Sequence, residues 1–313
     1  MSDYKVLICD GLAESGKDTL AAGAQVDDCS GVSPEELLEI VGDYDAMIVR
    51  SRTKVTRQVL DAGEKLKAVG RAGVGVDNID LAACAAKRVT VVNSPEATTI
   101  AVAEHALALM LGLIRHVPKA DASMKTGIWA KKELRGTELY GKRLGIIGVG
   151  RIGCAVSERA QAFGMEVIGY DPPLSDEEIR KRCVIPVSLP EFYATADFIS
   201  LHVPLTQETR GLLDGQAFAM MKRGVYIICT ARGGVIDETA LLARLESGQV
   251  AGAALDVFAN EPPGLTALVA HPNVIASPHI GAQTDEAQTR AGEHIAAEIL
   301  AALKGEPLRW KVV

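Results

Sequence analysis

Gly148, Gly150 and Gly153 carry the spacing G-x-G-x-x-G, in which glycines let a backbone come close to a phosphate. An apolar, strand-like stretch at 144–147 precedes them and a helix-like stretch at 154–163 follows, which is the context the motif requires. Gly148 serves the tight turn, Gly150 the approach of a pyrophosphate, and Gly153 the close packing of helix on strand. The phosphates would rest on the unpaired N–H groups at the positive end of the helix dipole. The next strand-like stretch ends in Asp171, near the ~20-residue spacing of a carboxylate that accepts from ribose hydroxyls. Such a carboxylate repels a 2′-phosphate, so the dinucleotide expected is NAD rather than NADP. Pro172 and Pro173 would keep bulk away from the adenine side.

Hydride transfer between an alcohol and NAD needs a group that moves the hydroxyl proton and a cation that holds the anionic end of the substrate. His105, His116 and His294 lie in helical patterns and read as packing or surface residues, while His271 opens a loop before Pro272. His202 and His279 both end strand-like runs, where open α/β sheets carry their ligands, and position alone does not separate them. A neighbouring carboxylate would tune and orient either ring, and the acids at strand ends are Asp256 and Glu261. Arg232, followed by Gly233 and Gly234, has room to fork onto a carboxylate.

The elements that must hold these groups are short apolar runs, at 6–9, 46–49, 68–70 and 90–92, and again at 144–147, 166–169, 197–202, 225–229, 252–257 and 274–276. Each is followed by a helix-like stretch. Continuous rather than alternating apolar strands mean parallel sheets covered on both faces, so the fold class is α/β, doubly wound and built twice. A length of 313 residues suits two domains, and 48% hydrophobic with 23% charged residues is ordinary globular composition. Residues 98–117 are apolar on nearly every face, which predicts a buried central helix or one that meets a partner subunit. The net charge of −7 argues against nucleic acid and anionic lipid as partners, so any anionic ligand must find a local basic site. No apolar run approaches the ~20 residues that span a bilayer, and the N-terminus lacks a secretory pattern, so a cytoplasmic location is expected. Six scattered cysteines suggest reduced thiols rather than a disulfide framework or a metal site.

The motifs RAGVGVDNID (71–80), AEH (103–105), GVGRIG (148–153), ARGGVID (231–237), ALDVF (254–258) with EPP (261–263), and PHIGA (278–282) stand in one order along the chain. Together they resemble the D-isomer-specific 2-hydroxyacid dehydrogenases nearly end to end. The resemblance implies a catalytic triad of Arg232, Glu261 and His279, with His279 moving the hydroxyl proton, Glu261 holding the imidazole and Arg232 binding the carboxylate. It also implies that Val74, Arg151, Ile152, Asp171, Val203, Pro204, Thr230, Ala231, Arg232, Asp256, His279, Gly281 and Ala282 surround NAD along with the three glycines, Asp256 facing the nicotinamide amide. The implied architecture is a discontinuous, flavodoxin-like substrate domain (1–95 and 285–313) and an inserted Rossmann NAD domain (96–284) around a cleft closed by hinge motion.

For the substrate, the resemblance implies a small anionic 2-hydroxy or 2-oxo acid. Val74 and Gly75 would cradle its carboxylate, beside Arg71, Arg232 and His279. Arg50, Arg52 and Lys131, the last from a second subunit of a homodimer joined through residues 98–140, would meet a phosphate. An ordinary ion pair is the plain alternative for each arginine. Rival expectations are a sibling glyoxylate or hydroxypyruvate reductase, with the triad but no phosphate clamp, and an NAD-sensing corepressor-type binding protein. Longer family members carry a regulatory extension beyond the last helix, so inhibition by that route is not expected of a sequence ending at Val313.

Overall fold

The runs rich in Val, Ile, Leu and Ala form strands with most of their residues buried, as parallel sheets demand, Val274–Ala276 excepted. The computed structural model describes residues 4–313. The chain divides into two units, the first running to Thr99 and resuming at Ala282, the second spanning Ile100–Gly281.

In the first unit, β1 (Lys5–Ile8), β2 (Gln25–Asp28), β3 (Ala46–Val49), β4 (Ala68–Arg71) and β5 (Thr90–Asn93) form an all-parallel sheet in the order β2-β1-β3-β4-β5. This is the flavodoxin-like order, which reverses between β1 and β3. One face is covered by the helix Asp285–Lys304, whose Ile295, Ala296, Ile299 and Leu303 join Val6, Ile8, Ile48 and Ala68 in one core. That helix starts where Thr284 Oγ1 accepts the Ala287 N–H, carries Asp285 and Glu286 in its positive first turn, and stops at the left-handed Gly305. It lies close on the helix Glu14–Ala21, because a Cβ on Gly16 would come within 2.7 Å of the Gly292 backbone.

In the second unit, β6 (Arg143–Ile147), β7 (Glu166–Tyr170), β8 (Ile185–Pro186), β9 (Phe198–Leu201), β10 (Val225–Cys229), β11 (Val250–Leu255) and β12 (Val274–Ala276) are again all parallel, in the order β12-β11-β10-β9-β6-β7-β8. The order reverses between β6 and β9, as in the dinucleotide-binding folds. Both sheets are doubly wound and parallel, as the sequence predicts.

Two strands escaped the sequence. β2 reads Gln-Val-Asp-Asp and β8 spans two residues, so neither shows an apolar run; both are edges, where one flank faces no neighbour and less apolar surface is needed. The long apolar stretch is also shorter than expected. The helix Thr99–Ile114 ends before His116, which adopts φ +55°, and a second helix follows at Val117–Lys125. Most of the first helix is buried against its own sheet, with Ala103, Leu107 and Met110 meeting Leu144 and Ile146, though Ile100 and Ala108 remain exposed. Among the described residues no single helix is long and apolar enough to cross a membrane.

Candidate active site

β6 delivers the glycine turn. Gly148 sits at φ +90° with the His202 carbonyl 2.6 Å from where a Cβ would lie, so only glycine fits. A Cβ on Gly153 would collide with the Gly148 carbonyl, which is the close helix-to-strand packing the motif demands. A Cβ on Gly150 would meet nothing within 4 Å, so open space lies beside the first turn of the helix Arg151–Ala162. Arg151 and Ile152 begin that helix, whose N-cap, Gly150, has no side chain to satisfy the leading N–H groups. Asp171, just past β7, accepts the Val149 N–H through Oδ2 at 2.8 Å, so it also braces the turn. Arg182, which the sequence did not single out, donates to the Val149 carbonyl from the other side.

β9 and β10 end in a pair of buried polar atoms without protein partners, His202 Nδ1 and Thr230 Oγ1, among the described residues. Buried groups of that kind are rare unless a ligand or water completes them. Open space at Gly150, an uncapped helix start, the Asp171 carboxylate and these two atoms together fit a dinucleotide on this edge of the sheet. Val203 packs beside the Gly148 turn, Pro204 follows it with its carbonyl held by the Thr209 hydroxyl, and Ala231 is buried after Thr230. The His202 ring cannot serve as an acid near neutral pH: burial pulls its pKa down to about 4, and Nε2 is spent on the Ser200 hydroxyl at 2.8 Å. Strand position left His202 and His279 equal, and their surroundings differ.

His279 follows β12, partly exposed, with Nδ1 2.8 Å from Glu261 Oε2. Glu261 is steadied through Oε1, which accepts the Phe258 N–H at 3.1 Å. Since a carboxylate accepts, the proton is assigned to Nδ1, leaving Nε2 as the atom that takes or gives one. Arg232 stands at the end of β10 and donates from Nη1 to the Ala231 carbonyl at 2.7 Å.

Asp256, at the end of β11, is 1% exposed and was expected at the nicotinamide amide. Here both its oxygens are engaged by the protein: Oδ1 accepts from the Ser277 hydroxyl (2.6 Å), the Ile280 N–H (2.9 Å) and His105 Nε2 (3.2 Å), and Oδ2 from the Gly281 N–H (2.8 Å). Burial alone would push its pKa up, and the donors His105, Ser277, Ile280 and Gly281 outweigh it, holding the carboxyl below its ordinary value. His105, read from the sequence as a packing or surface residue, is part-buried and bonds to Asp256; its spacing on an apolar helix gave no sign of a polar partner 151 residues away. Ala282 begins the return to the first unit, its carbonyl accepting from Gln288.

The first unit presents its basic residues where its strand order reverses, at the ends of β1 and β3. Asp10 organises them: Oδ2 accepts the Arg50 and Thr53 N–H groups (2.7 and 3.0 Å), and Oδ1 the Thr53 hydroxyl and Arg52 Nε (2.6 and 3.2 Å). Sequence reasoning passed over Asp10, although an acid closing the first strand at a reversal point is the available signal. Arg52, expected to meet a phosphate, donates from each of its three guanidinium nitrogens to a protein oxygen, on Asp10, Val32 or Cys9, and so braces the turn. Among the described residues the Arg50 guanidinium makes one long hydrogen bond, 3.4 Å to Gln283 Oε1, and partial burial lowers its pKa against the pull of Asp10. Arg71 donates to Ser51 Oγ and the Ala72 carbonyl. Val74 and Gly75 lie in the turn after β4, shaped by bonds from Ser94 N to the Gly73 carbonyl and from Asn93 to the Val74 carbonyl. Lys131 lies exposed in a turn of the second unit beside the exposed Trp129.

The profile described as "D-isomer specific 2-hydroxyacid dehydrogenase, NAD binding domain" matches residues 107–281, more than half of the chain. A D-3-phosphoglycerate dehydrogenase from Synechocystis sp. is 47% identical over 308 residues, 98% of this chain and 56% of the relative. One from Rattus norvegicus is 49% identical over 97% of this chain and 57% of its own length. The chain thus spans little more than half the length of these curated relatives. Among solved structures, a glyoxylate reductase from Paecilomyes thermophila superposes with a TM-score of 0.91 at 32% identity, covering 100% of this chain and 99% of that one.

Proposed function

The chain belongs to the D-isomer specific 2-hydroxyacid dehydrogenases and contains their NAD-binding domain, and from that premise we propose that it oxidises 3-phospho-D-glycerate to 3-phosphohydroxypyruvate with NAD, the first committed step towards L-serine. The observation that carries this is the His279–Glu261 pair, 2.8 Å apart and open to solvent, on a chain 47–49% identical to D-3-phosphoglycerate dehydrogenases.

When bound, NAD supplies the hydride acceptor. The glycine turn, Arg151, Ile152 and Asp171 hold its phosphates and ribose, and Val203, Pro204, Thr230, Ala231 and the turn at 279–282 border the rest. His279 Nε2 takes the hydroxyl proton as the carbinol carbon is oxidised and returns it in the reverse direction. Glu261 keeps the ring in one tautomer and stabilises the imidazolium, as carboxylates beside catalytic histidines do. Arg232 forks onto the substrate carboxylate, with the Val74 and Gly75 N–H groups as a second carboxylate donor set. Arg50 and Arg71 are the cations proposed for the phosphate, Lys131 a further one contributed by a second copy of the chain. We place the enzyme in the cytoplasm as a homodimer joined through residues 98–140.

A second reading, a reductase of unphosphorylated glyoxylate or hydroxypyruvate, is favoured by the full-length similarity to the glyoxylate reductase from Paecilomyes thermophila. NADH oxidation by the purified chain against 2-oxo acids with and without a 3-phosphate separates the two. Our reading expects kcat/KM for 3-phosphohydroxypyruvate to exceed that for hydroxypyruvate by at least about 100-fold, the scale of one buried charge-assisted contact. Equal values would give the site to the sibling reductase.

A further inference from the structure

His279 stands at φ +53°, a left-handed conformation that a side-chain-bearing residue holds only where its surroundings over-determine it. The surroundings here are one carboxylate. Ser277 precedes the turn and Ile280 and Gly281 follow it; all three donate to Asp256, while the His279 N–H reaches back to the Ser277 carbonyl at 3.0 Å. Both flanks of the proton-transferring residue are thus pinned to the same buried group. The last donor comes from a remote helix. His105 Nε2 lies 3.1 Å from Ser277 Oγ and 3.2 Å from Asp256 Oδ1, so its N–H is shared between them. By donating to Ser277 Oγ it leaves that hydroxyl's own hydrogen free to point at Asp256, where the 2.6 Å bond is the shortest of the set.

We infer that His105 is a positioning residue for the proposed dehydrogenation: through Ser277 and Asp256 it keeps the His279 backbone in the left-handed state that presents the ring to Glu261. The inference rests on the reading of His279 as the proton-transferring group. It ties the helix Thr99–Ile114, which touches no reacting atom, to the chemistry.

Three variants of the full chain test it: His105→Leu, which keeps bulk without a donor; His105→Gln, whose amide can put an N–H near the position of Nε2; and wild type. With NADH and 3-phosphohydroxypyruvate, His105→Leu is expected to lose about 10- to 100-fold in kcat while the NADH dissociation constant, read by nucleotide fluorescence, moves less than threefold. His105→Gln is expected to recover kcat to within about threefold of wild type. A His105→Leu enzyme within twofold of wild type, or a His105→Gln enzyme as impaired as His105→Leu, overturns the inference. Amide hydrogen exchange gives a reading that needs no turnover: the Ile280 and Gly281 amides should exchange at least tenfold faster in His105→Leu and recover in His105→Gln, with Val149 unchanged as the internal reference. Wild type inactive on every 2-oxo acid would remove the functional reading, and the exchange data would still decide whether His105 holds the turn; unchanged exchange would end the inference whatever the activity.

Discussion

Two histidines end strands in the second sheet, and their surroundings give them opposite characters. His279 is half exposed against a carboxylate, whereas His202 is enclosed and neutral. His279→Gln should therefore lower kcat by about 10²- to 10⁴-fold, the range of a lost general acid or base, and spare NADH affinity; steady-state kinetics beside a nucleotide titration check it, and normal turnover would remove His279 from the chemistry. His202 has its consequence in stability. Its folded pKa of about 4 lies below the ~6.5 of an unfolded histidine, so as pH falls the unfolded chain binds the proton first. The contribution is complete above pH ~6.5 and is lost on descending towards 4, amounting to about 2 kcal/mol by pH 5. Denaturant unfolding at pH 7 and pH 5 should show a smaller decline for His202→Gln than for wild type, and parallel declines would contradict the buried, neutral ring.

At the scale of elements, each turn that carries a proposed site is tied by one carboxylate at a strand's carboxyl end: Asp171 to the glycine turn, Asp256 to the turn of His279, and Asp10 to the turn of Arg50. Asp171→Ser should narrow the NAD over NADP preference and, because Val149 loses its acceptor, weaken binding of both. Comparing kcat/KM for NADH and NADPH tests this, and an unchanged ratio would mean that the ribose is held elsewhere. Helix packing in the first unit makes a separate prediction. Gly16→Val would drive its side chain into the Gly292 backbone, and overpacking of that kind costs about 1–3 kcal/mol. Calorimetry should find a lower melting temperature, by roughly 2–4 °C for each kcal/mol.

For the molecule as a whole, the surface of the second unit bears on assembly. Val117, Met124, Ile128, Trp129 and Tyr140 are all exposed along one stretch of chain, more large apolar side chains than an isolated surface segment usually shows. With homodimerisation proposed through this stretch, Met124→Glu combined with Ile128→Glu should yield a monomer by light scattering, and an unaltered mass would place any interface elsewhere. The net charge of −7 frames the substrate argument at the same scale. A protein of that charge repels phosphorylated acids at long range, so capture of the proposed substrate would fall to short-range cations, Arg50 among those proposed. Arg50→Ala should raise KM for 3-phosphohydroxypyruvate by about tenfold or more and leave that for hydroxypyruvate nearly unchanged.

Fold class, the glycine turn and the strand-end positions of Asp171 and the other candidates were legible in the chain because they rest on local rules: apolar runs make buried strands, glycine spacing makes a tight strand-to-helix turn, and chain order puts turns after strands. The edge strands β2 and β8 were illegible because an edge needs little apolar surface. Tertiary structure alone decided which histidine is enclosed, that Arg52 braces Asp10, and that His105 reaches Asp256. Those are pairings between residues tens to hundreds of positions apart, and burial and hydrogen bonding at such range come into being only when parallel strands bring their carboxyl ends together.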